Sequence, residues 1–238
     1  MKKYLITGGD GRFANEMKKF FKGKNFIFTN KYNFNILKKN QIKKQLQKIK
    51  PNCVIHLAGL SRPMKLHEKN IGKSITLNII GTSNLVKECE KKNIKIIYFS
   101  TQYVYPGIKG NYRESSALLP MNNYAWSKLG GECAVQMYKN SLILRISMSE
   151  KPWIHKYAFK NIKTNFLYHD EFVKILPKIL NKKGIINIGS SEKSILKFAK
   201  RTNKKVKAIN YKKLKSDPAL PKDSSTNVSK LRKIIKGF

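Results

Sequence analysis

Acidic residues are scarce in this chain, 13 Asp plus Glu against 50 Lys plus Arg in 238 residues, which leaves a formal net charge of +37. A field of that sign attracts anionic small molecules, and it invites a nucleic-acid reading because neutralised phosphates release counterions. Arginine, however, is scarcer still. Six of the 50 cations are Arg, whereas groove and phosphate recognition leans on the planar guanidinium fork. The lysines are spread along the whole chain, with no basic tail and no aromatic-basic repeat, so no nucleic-acid partner is expected. Lys, Ile and Asn together fill 93 positions, a bias that fits A/T-rich codons better than selection for a partner.

Long apolar runs are missing as well. None approaches the roughly 18 residues that span a bilayer, and Met1-Lys2-Lys3 leads directly into a strand-like segment instead of a signal-peptide apolar stretch. The expectation is a soluble, cytoplasmic protein with no membrane partner. Only three cysteines occur, Cys53, Cys89 and Cys133, without a Cys-x-x-Cys pair or a Cys/His cluster. That spacing excludes a disulfide framework and a recognisable metal site, and leaves reduced thiols.

A hydrophobic fraction of 41% with 12 Phe excludes intrinsic disorder, and the length suits one large domain or a core with a small annex. Short apolar runs at Lys3 to Thr7, Phe26 to Phe28, Cys53 to Leu57, Ile94 to Phe99 and Leu142 to Ile146 alternate with helical patterns. The helical patterns begin at Phe13, cover about 37–49, run through Ile75 to Val86, and cover about 122–139. Such alternation predicts a parallel sheet covered on both faces. Beyond Ser147 the pattern loosens into a helix near 169–181, a strand at Ile185 to Ile188 and a helix at 191–201. That later strand and helix could extend the sheet. The Pro-rich stretch 216–224 and a last helix at 228–236 read as a small appended lobe. The expected fold is therefore α/β, a Rossmann-type doubly wound parallel sheet over residues 1–147 with a shortened lobe, 148–238, interleaved with it.

Two motifs carry chemistry. Gly8, Gly11 and Ala14 have the spacing Gly-x-x-Gly-x-x-Ala between the first strand and the first helix. Glycines let the backbone turn tightly and approach a pyrophosphate that rests on free N–H groups at the helix N-terminus. A plain strand-to-helix turn also favours Gly, so the position in the first βαβ unit is what gives the loop its meaning. The second motif is Tyr-x-x-x-Lys. In a chain this rich in lysine about two such pairs are expected by accident, and three occur: Tyr105/Lys109, Tyr124/Lys128 and Tyr211/Lys215. Pro106-Gly107 breaks the first, and the third lies in a charged C-terminal stretch. Only Tyr124 and Lys128 fall on an expected helix, where i and i+4 side chains share a face and an ammonium lowers a phenol's pKa. Strand four ends in Ser100-Thr101, at the sheet edge where ligands of open α/β sheets bind.

In order along the chain, several segments resemble the extended short-chain dehydrogenase/reductases, most of all the dTDP-4-dehydrorhamnose reductase branch. They are Thr7 to Ala14, Val54 to Gly59, Asn78, Phe99 to Gly107, Pro120-x-Asn122-x-Tyr124-x-x-Ser127-Lys128 and Gly131-Glu132. The resemblance implies a 4-keto nucleotide-sugar reductase with Thr101, Tyr124 and Lys128 as its catalytic set. It implies a cofactor site of Gly8, Gly11, Arg12, Phe13, Asn30, Lys31, Leu57, Ala58, Gly59 and Asn78, joined by Tyr124 and Lys128. Gln102, Tyr103, Asn122 and Met148 would line the sugar, and a homodimer would form through the helices near 72–92 and 122–139. Gln102-Tyr103 stand where sugar-nucleotide dehydratases carry an Asp-Glu pair, so the carboxylates for water elimination are missing. Leu220-Pro221-x-x-Ser224 replaces the reductases' Arg-Pro-x-x-Ser. After the second strand Thr29-Asn30-Lys31 offers no acid for a ribose 2′-OH, and Arg12 with Lys31 suits a 2′-phosphate, so NADPH is expected over NADH. A C4-epimerase is the nearest enzymatic alternative. A non-catalytic subunit resembling the methionine adenosyltransferase regulatory subunit is the alternative from another class.

Overall fold

The computed structural model describes residues 2–23, 25–212 and 218–236. Lys215 of the third Tyr-x-x-x-Lys pair and residues 216–217 of the Pro-rich stretch lie outside the described residues. The chain begins with β1 (Tyr4–Thr7), α1 (Arg12–Phe20), β2 (Phe26–Phe28), α2 (Lys39–Ile49) and β3 (Cys53–His56). A helical stretch follows, made of α3 (Lys65–Lys69), α4 (Ile71–Ser74), a π-helical turn (Ile75–Ile80) and α5 (Gly81–Lys91). Then come β4 (Lys95–Ser100), α6 (Asn123–Gln136) and β5 (Ser141–Ile146). The remainder holds β6 (Met148–Ser149), β7 (Tyr157–Phe159), β8 (Lys163–Thr164), β9 (Leu167–Tyr168), α7 (His169–Ile179), β10 (Gly184–Ile188), β11 (Lys193–Ser194), α8 (Ile195–Ala199), β12 (Lys207–Ile209) and α9 (Ser229–Ile234).

Six strands form one parallel sheet in the order β10-β5-β4-β3-β1-β2. Its central strands are apolar on both faces because both faces are covered. Successive residues alternate between two cores. Ile6, Ile55, Ile97, Leu142 and Leu144 pack under α1, α7 and α9, whereas Leu5, Val54, Ile96, Tyr98 and Ile143 pack under α2, α5 and α6. Each fully buried aliphatic side chain contributes about 1.5–3 kcal/mol. A third, smaller cluster around Trp153, Tyr168, Phe198 and Val206 lies beyond β5.

The later strand extends the sheet, as β10 pairs with β5 from Gly184↔Leu142 to Ile188↔Ile146. The last helix departs from expectation. Leu231 and Ile235 are buried in the same cluster as Leu142 and Leu144, so α9 belongs to the main core and not to an appended lobe. The reason is the i, i+4 apolar spacing of Leu231 and Ile235, which fits the face of the edge strand β10.

The strand order reverses between β1 and β3, which lie side by side although β2 intervenes in sequence. At such a switch point the loops leaving adjacent strands diverge and open a crevice at the carboxyl ends. The glycine loop and the segment after β3 form its two lips.

Candidate active site

Gly8 leaves β1 with φ +69°, and a Cβ there would stand 2.7 Å from the Ala58 backbone nitrogen. Only glycine allows both the left-handed backbone and this approach of the two loops. Gly11 precedes α1 without any side-chain cap, so the first N–H groups of that helix face the crevice unsatisfied by a cap. Beneath the lips, the His56 ring joins Thr7 Oγ1 at 2.8 Å through Nδ1 and Thr82 Oγ1 at 3.0 Å through Nε2. The Ala58 N–H donates to the same Thr7 hydroxyl at 3.2 Å. Burial, assisted by the Lys128 charge, lowers the His56 pKa to about 3, so this ring is a neutral tie between β1, β3 and α5.

The π-helical turn has a local purpose. Asn78 within it accepts the Leu60 N–H at 2.7 Å and donates to the Leu60 carbonyl and to Ser127 Oγ, both at 2.8 Å. One buried amide thereby fixes the segment after β3 against α6. Helix α6 starts on Asn122, whose side chain accepts the Ala125 N–H at 2.9 Å and donates to the Ala219 carbonyl at 2.7 Å. The helix then carries Tyr124, Lys128 and Glu132 at successive i, i+4 positions, one above the other.

Tyr124 reaches the end of β4, where its phenol and the Thr101 side chain line the same cleft. Its ring meets Tyr103 edge-on at 6.5 Å and His67 at 5.2 Å between centroids. Lys128 places Nζ 4.1 Å from the centre of the Tyr98 ring. Burial lowers the Lys128 pKa from 10.5 to about 7, although Glu132 works in the other direction. The expectation that Lys128 depresses the Tyr124 phenol is not met: the Tyr124 pKa is raised, because burial outweighs the Thr101 hydroxyl and the charge of Arg62. The cation acting on this phenol is Arg62, a residue with no motif around it in the sequence.

Below the site Glu132 accepts from Ser100 Oγ at 2.5 Å and pairs with Arg145 at 2.6 Å, both side chains being nearly inaccessible. Arg145 continues to the Tyr105 hydroxyl at 2.7 Å, which donates to Asn187 at 2.8 Å. Two ionised groups are tolerated at this depth because each finds charged or polar partners. The network pins α6 to β4, β5 and β10.

The cleft encloses about 290 Å³. Of the residues singled out from sequence, Gly8, Gly11, Arg12, Phe13, Leu57, Gly59, Thr101, Tyr103, Tyr124, Lys128 and Met148 form its wall. The others lie elsewhere. Ala58 and Asn78 stand behind the lip in the contacts described above. Gln102 is buried the other way, donating to Asn165 at 2.7 Å and to the Ile188 carbonyl at 3.0 Å, so it holds β10 and does not line the sugar pocket. Asn122 is a helix cap outside the wall. Asn30 caps its own turn through the Tyr32 N–H at 3.0 Å, and Lys31 lies over the Tyr32 ring, so both sit beyond the end of β2, outside the cleft. The wall also contains Arg62, Glu150 and His169, which no motif announced. Burial lowers the His169 pKa to about 4 and keeps it neutral. A larger groove of about 650 Å³ beside α7 gathers Lys174, Lys178, Lys193 and Arg232 but none of the residues of the cleft wall.

The parallel sheet with this cleft at its switch point defines a Rossmann-like α/β fold. The chain belongs to the RmlD substrate binding domain family, whose model matches residues 1–170. Among its relatives is methionine adenosyltransferase 2 subunit beta of Xenopus laevis, 32% identical over 152 residues, 60% of this chain and 45% of that protein. The dTDP-4-dehydrorhamnose reductase of Aggregatibacter actinomycetemcomitans is 25% identical over 193 residues, 79% of this chain and 60% of that enzyme. The chain therefore spans about half the length of these relatives. In fold it is similar to the Bacillus anthracis dTDP-4-dehydrorhamnose reductase solved in complex with NADP, with a TM-score of 0.87 and 21% identity over 100% of this chain and 94% of that one.

Proposed function

We propose that this protein is an NAD(P)H-dependent reductase of a 4-keto nucleotide-sugar. The observation that carries the reading is the convergence of Thr101, Tyr124 and Lys128 on one cleft that also receives the glycine loop and the uncapped start of α1. The donors present fit a dinucleotide: Gly8 and Gly11 give backbone access, the N–H groups of α1 suit a pyrophosphate, and Arg12 suits a further phosphate. When bound, the reduced nicotinamide supplies a hydride. Thr101 hydrogen-bonds the substrate carbonyl oxygen and orients it, and Tyr124 delivers the proton to that oxygen as negative charge develops there. Lys128 holds the nicotinamide ribose. Tyr103 and Met148 bound the sugar from the wall, and Gln102 and Asn122 act by fixing the loops that carry them. Gly59, Leu57 and Phe13 flank the cofactor, while Asn30 and Lys31 border its adenosine end.

The names of the Aggregatibacter and Bacillus relatives support a dTDP-linked 4-keto-6-deoxy sugar as substrate and NADPH as cofactor. The subunit reading draws on the Xenopus relative's name, and the intact Thr101, Tyr124 and Lys128 set speaks against it. The division at residue 147 into a cofactor core and a substrate lobe is part of the same proposal. So is a homodimer, supported by an exposed apolar face in which Ile71, Ile75 and Trp126 flank a shallow groove of about 400 Å³. Among the described residues no helix is long and apolar enough to cross a membrane, and we place the protein in the cytoplasm, with small anionic ligands rather than nucleic acid as its partners.

The test is Tyr124→Phe. It should bind NADPH nearly as the native protein does and turn over a 4-keto nucleotide-sugar roughly 10²–10⁴ times more slowly, the usual worth of a positioned general acid. Full turnover in that variant would remove the mechanism, and no turnover by the native protein with any sugar offered would favour the subunit reading.

A further inference from the structure

Arg12 and Arg62 enter the cleft from different elements, Arg12 as the first residue of α1 and Arg62 from the segment after β3. Both end on one carboxylate. Arg12 Nη1 lies 2.7 Å from Glu150 Oε1, and Arg62 Nη1 lies 3.2 Å from Glu150 Oε2. Glu150 follows β6 and is the only acid in the cleft wall among the described residues. Its neighbour Lys151 is tied to Asp170 at 3.0 Å, which anchors the segment from behind. Burial alone would raise the Glu150 carboxyl, yet the Arg12 hydrogen bond and the charges of both arginines outweigh it and hold the pKa below its ordinary value.

Two guanidinium groups converging on one anion is an arrangement suited to phosphate, with the Glu150 carboxylate in the anion's place. The two arginines approach that carboxylate from different elements and border different parts of the cleft. Arg12 stands at the N-terminus of α1, where a pyrophosphate would rest. The charge of Arg62 acts on the Tyr103 and Tyr124 phenols, on the substrate side, whereas both arginines act on His169. A phosphate that takes Arg12 therefore competes with the carboxylate that also holds Arg62.

We infer that Glu150 is an internal competitor for anionic ligands, and that displacing it from Arg12 releases Arg62 to receive the anionic part of the second ligand. The identity of the two ligands, a dinucleotide and a nucleotide-sugar, rests on the reductase reading. The competition itself rests on the three side chains alone. Because one carboxylate serves both arginines, the first anion bears the cost of displacing it and the second does not, which makes the two binding events favour each other reciprocally.

Titration calorimetry at one fixed ionic strength tests this, with inorganic pyrophosphate as the first probe and NADPH with dTDP as the second. Glu150→Gln and Glu150→Ala should each bind pyrophosphate about two- to fivefold more tightly than the native protein, the worth of a half-exposed ion pair. Native protein should bind dTDP more tightly when NADPH is present, and both variants should lose that enhancement. Pyrophosphate binding that is absent, unchanged or weaker in the variants overturns the competition, and absence of enhancement in the native protein overturns the coupling. If neither NADPH nor NADH binds any of the three proteins, the reductase reading falls, while the pyrophosphate series still decides the role of Glu150.

Discussion

Lys128 is the residue on which the chemistry turns most sensitively. Its pKa is lowered by burial to about 7, so the ammonium is largely present below that pH and is lost above it. If the ammonium holds the cofactor ribose, kcat/KM should decline as pH rises through about 7, since that ratio reports the groups of the free protein. A profile flat to pH 9 would contradict this. Stability should run the other way. Between about 7 and the ordinary 10.5 the unfolded chain binds the proton that the folded one has lost, so folding gains stability with rising pH across that window. Gly8 is tested separately: Gly8→Ala forces a Cβ to 2.7 Å from the Ala58 nitrogen at φ +69°, and should abolish dinucleotide binding with a smaller loss of melting temperature. The places of Gly8, Tyr124 and Lys128 at the cleft were legible in the sequence because local spacing fixes them on a turn and a helix face, and that of Thr101 because it stands at the end of a strand, in the segment that resembles the reductases. Arg62 and Glu150 were not, since they lie 88 positions apart and only the tertiary fold brings them together. Gln102 misled for a related reason, as the direction of a side chain just after a strand is set by its partner Asn165, 63 positions away.

Among the elements, α6 matters most, because three of its residues at i, i+4 spacing serve the site and the last of them, Glu132, anchors the helix to Ser100 and Arg145. Glu132→Gln leaves Arg145 as an uncompensated buried charge and should destabilise the protein by roughly 3–5 kcal/mol, read by denaturant unfolding. A loss within experimental error of zero would mean that the pair does not hold the helix. The strands and helices of the first half were legible because apolar runs of four to six residues alternate with helical periods. Three features were not. The π-helical turn depends on the contacts of Asn78 with Leu60 and Ser127, which no local pattern encodes. The place of α9 in the main core depends on the open face of β10. The short strands β6 to β9 have two or three residues each, too few to carry a period.

For the whole molecule, the excess of cations sets a field favourable to phosphorylated ligands, and the segment after β2 offers no acid to select a free ribose hydroxyl. NADPH should therefore bind more tightly than NADH at physiological salt, and calorimetry showing the reverse would contradict the expectation. The apolar face over α4 and α6 should pair two chains, so Trp126→Asp should shift the protein toward monomer in sedimentation. On the proposed function, the cleft should reduce a ketone with an exchangeable cofactor. An epimerase must keep its nicotinamide through oxidation and re-reduction, whereas a reductase needs only a fresh reduced cofactor and one proton donor. The most direct measurement follows nicotinamide absorbance while purified protein acts on dTDP-4-keto-6-deoxyglucose, with product quantified alongside. One NADPH consumed per sugar reduced, and no cofactor carried through purification, is the predicted result; tightly held NAD⁺, with inversion at C4 of a saturated sugar nucleotide and no net change in absorbance, would contradict it.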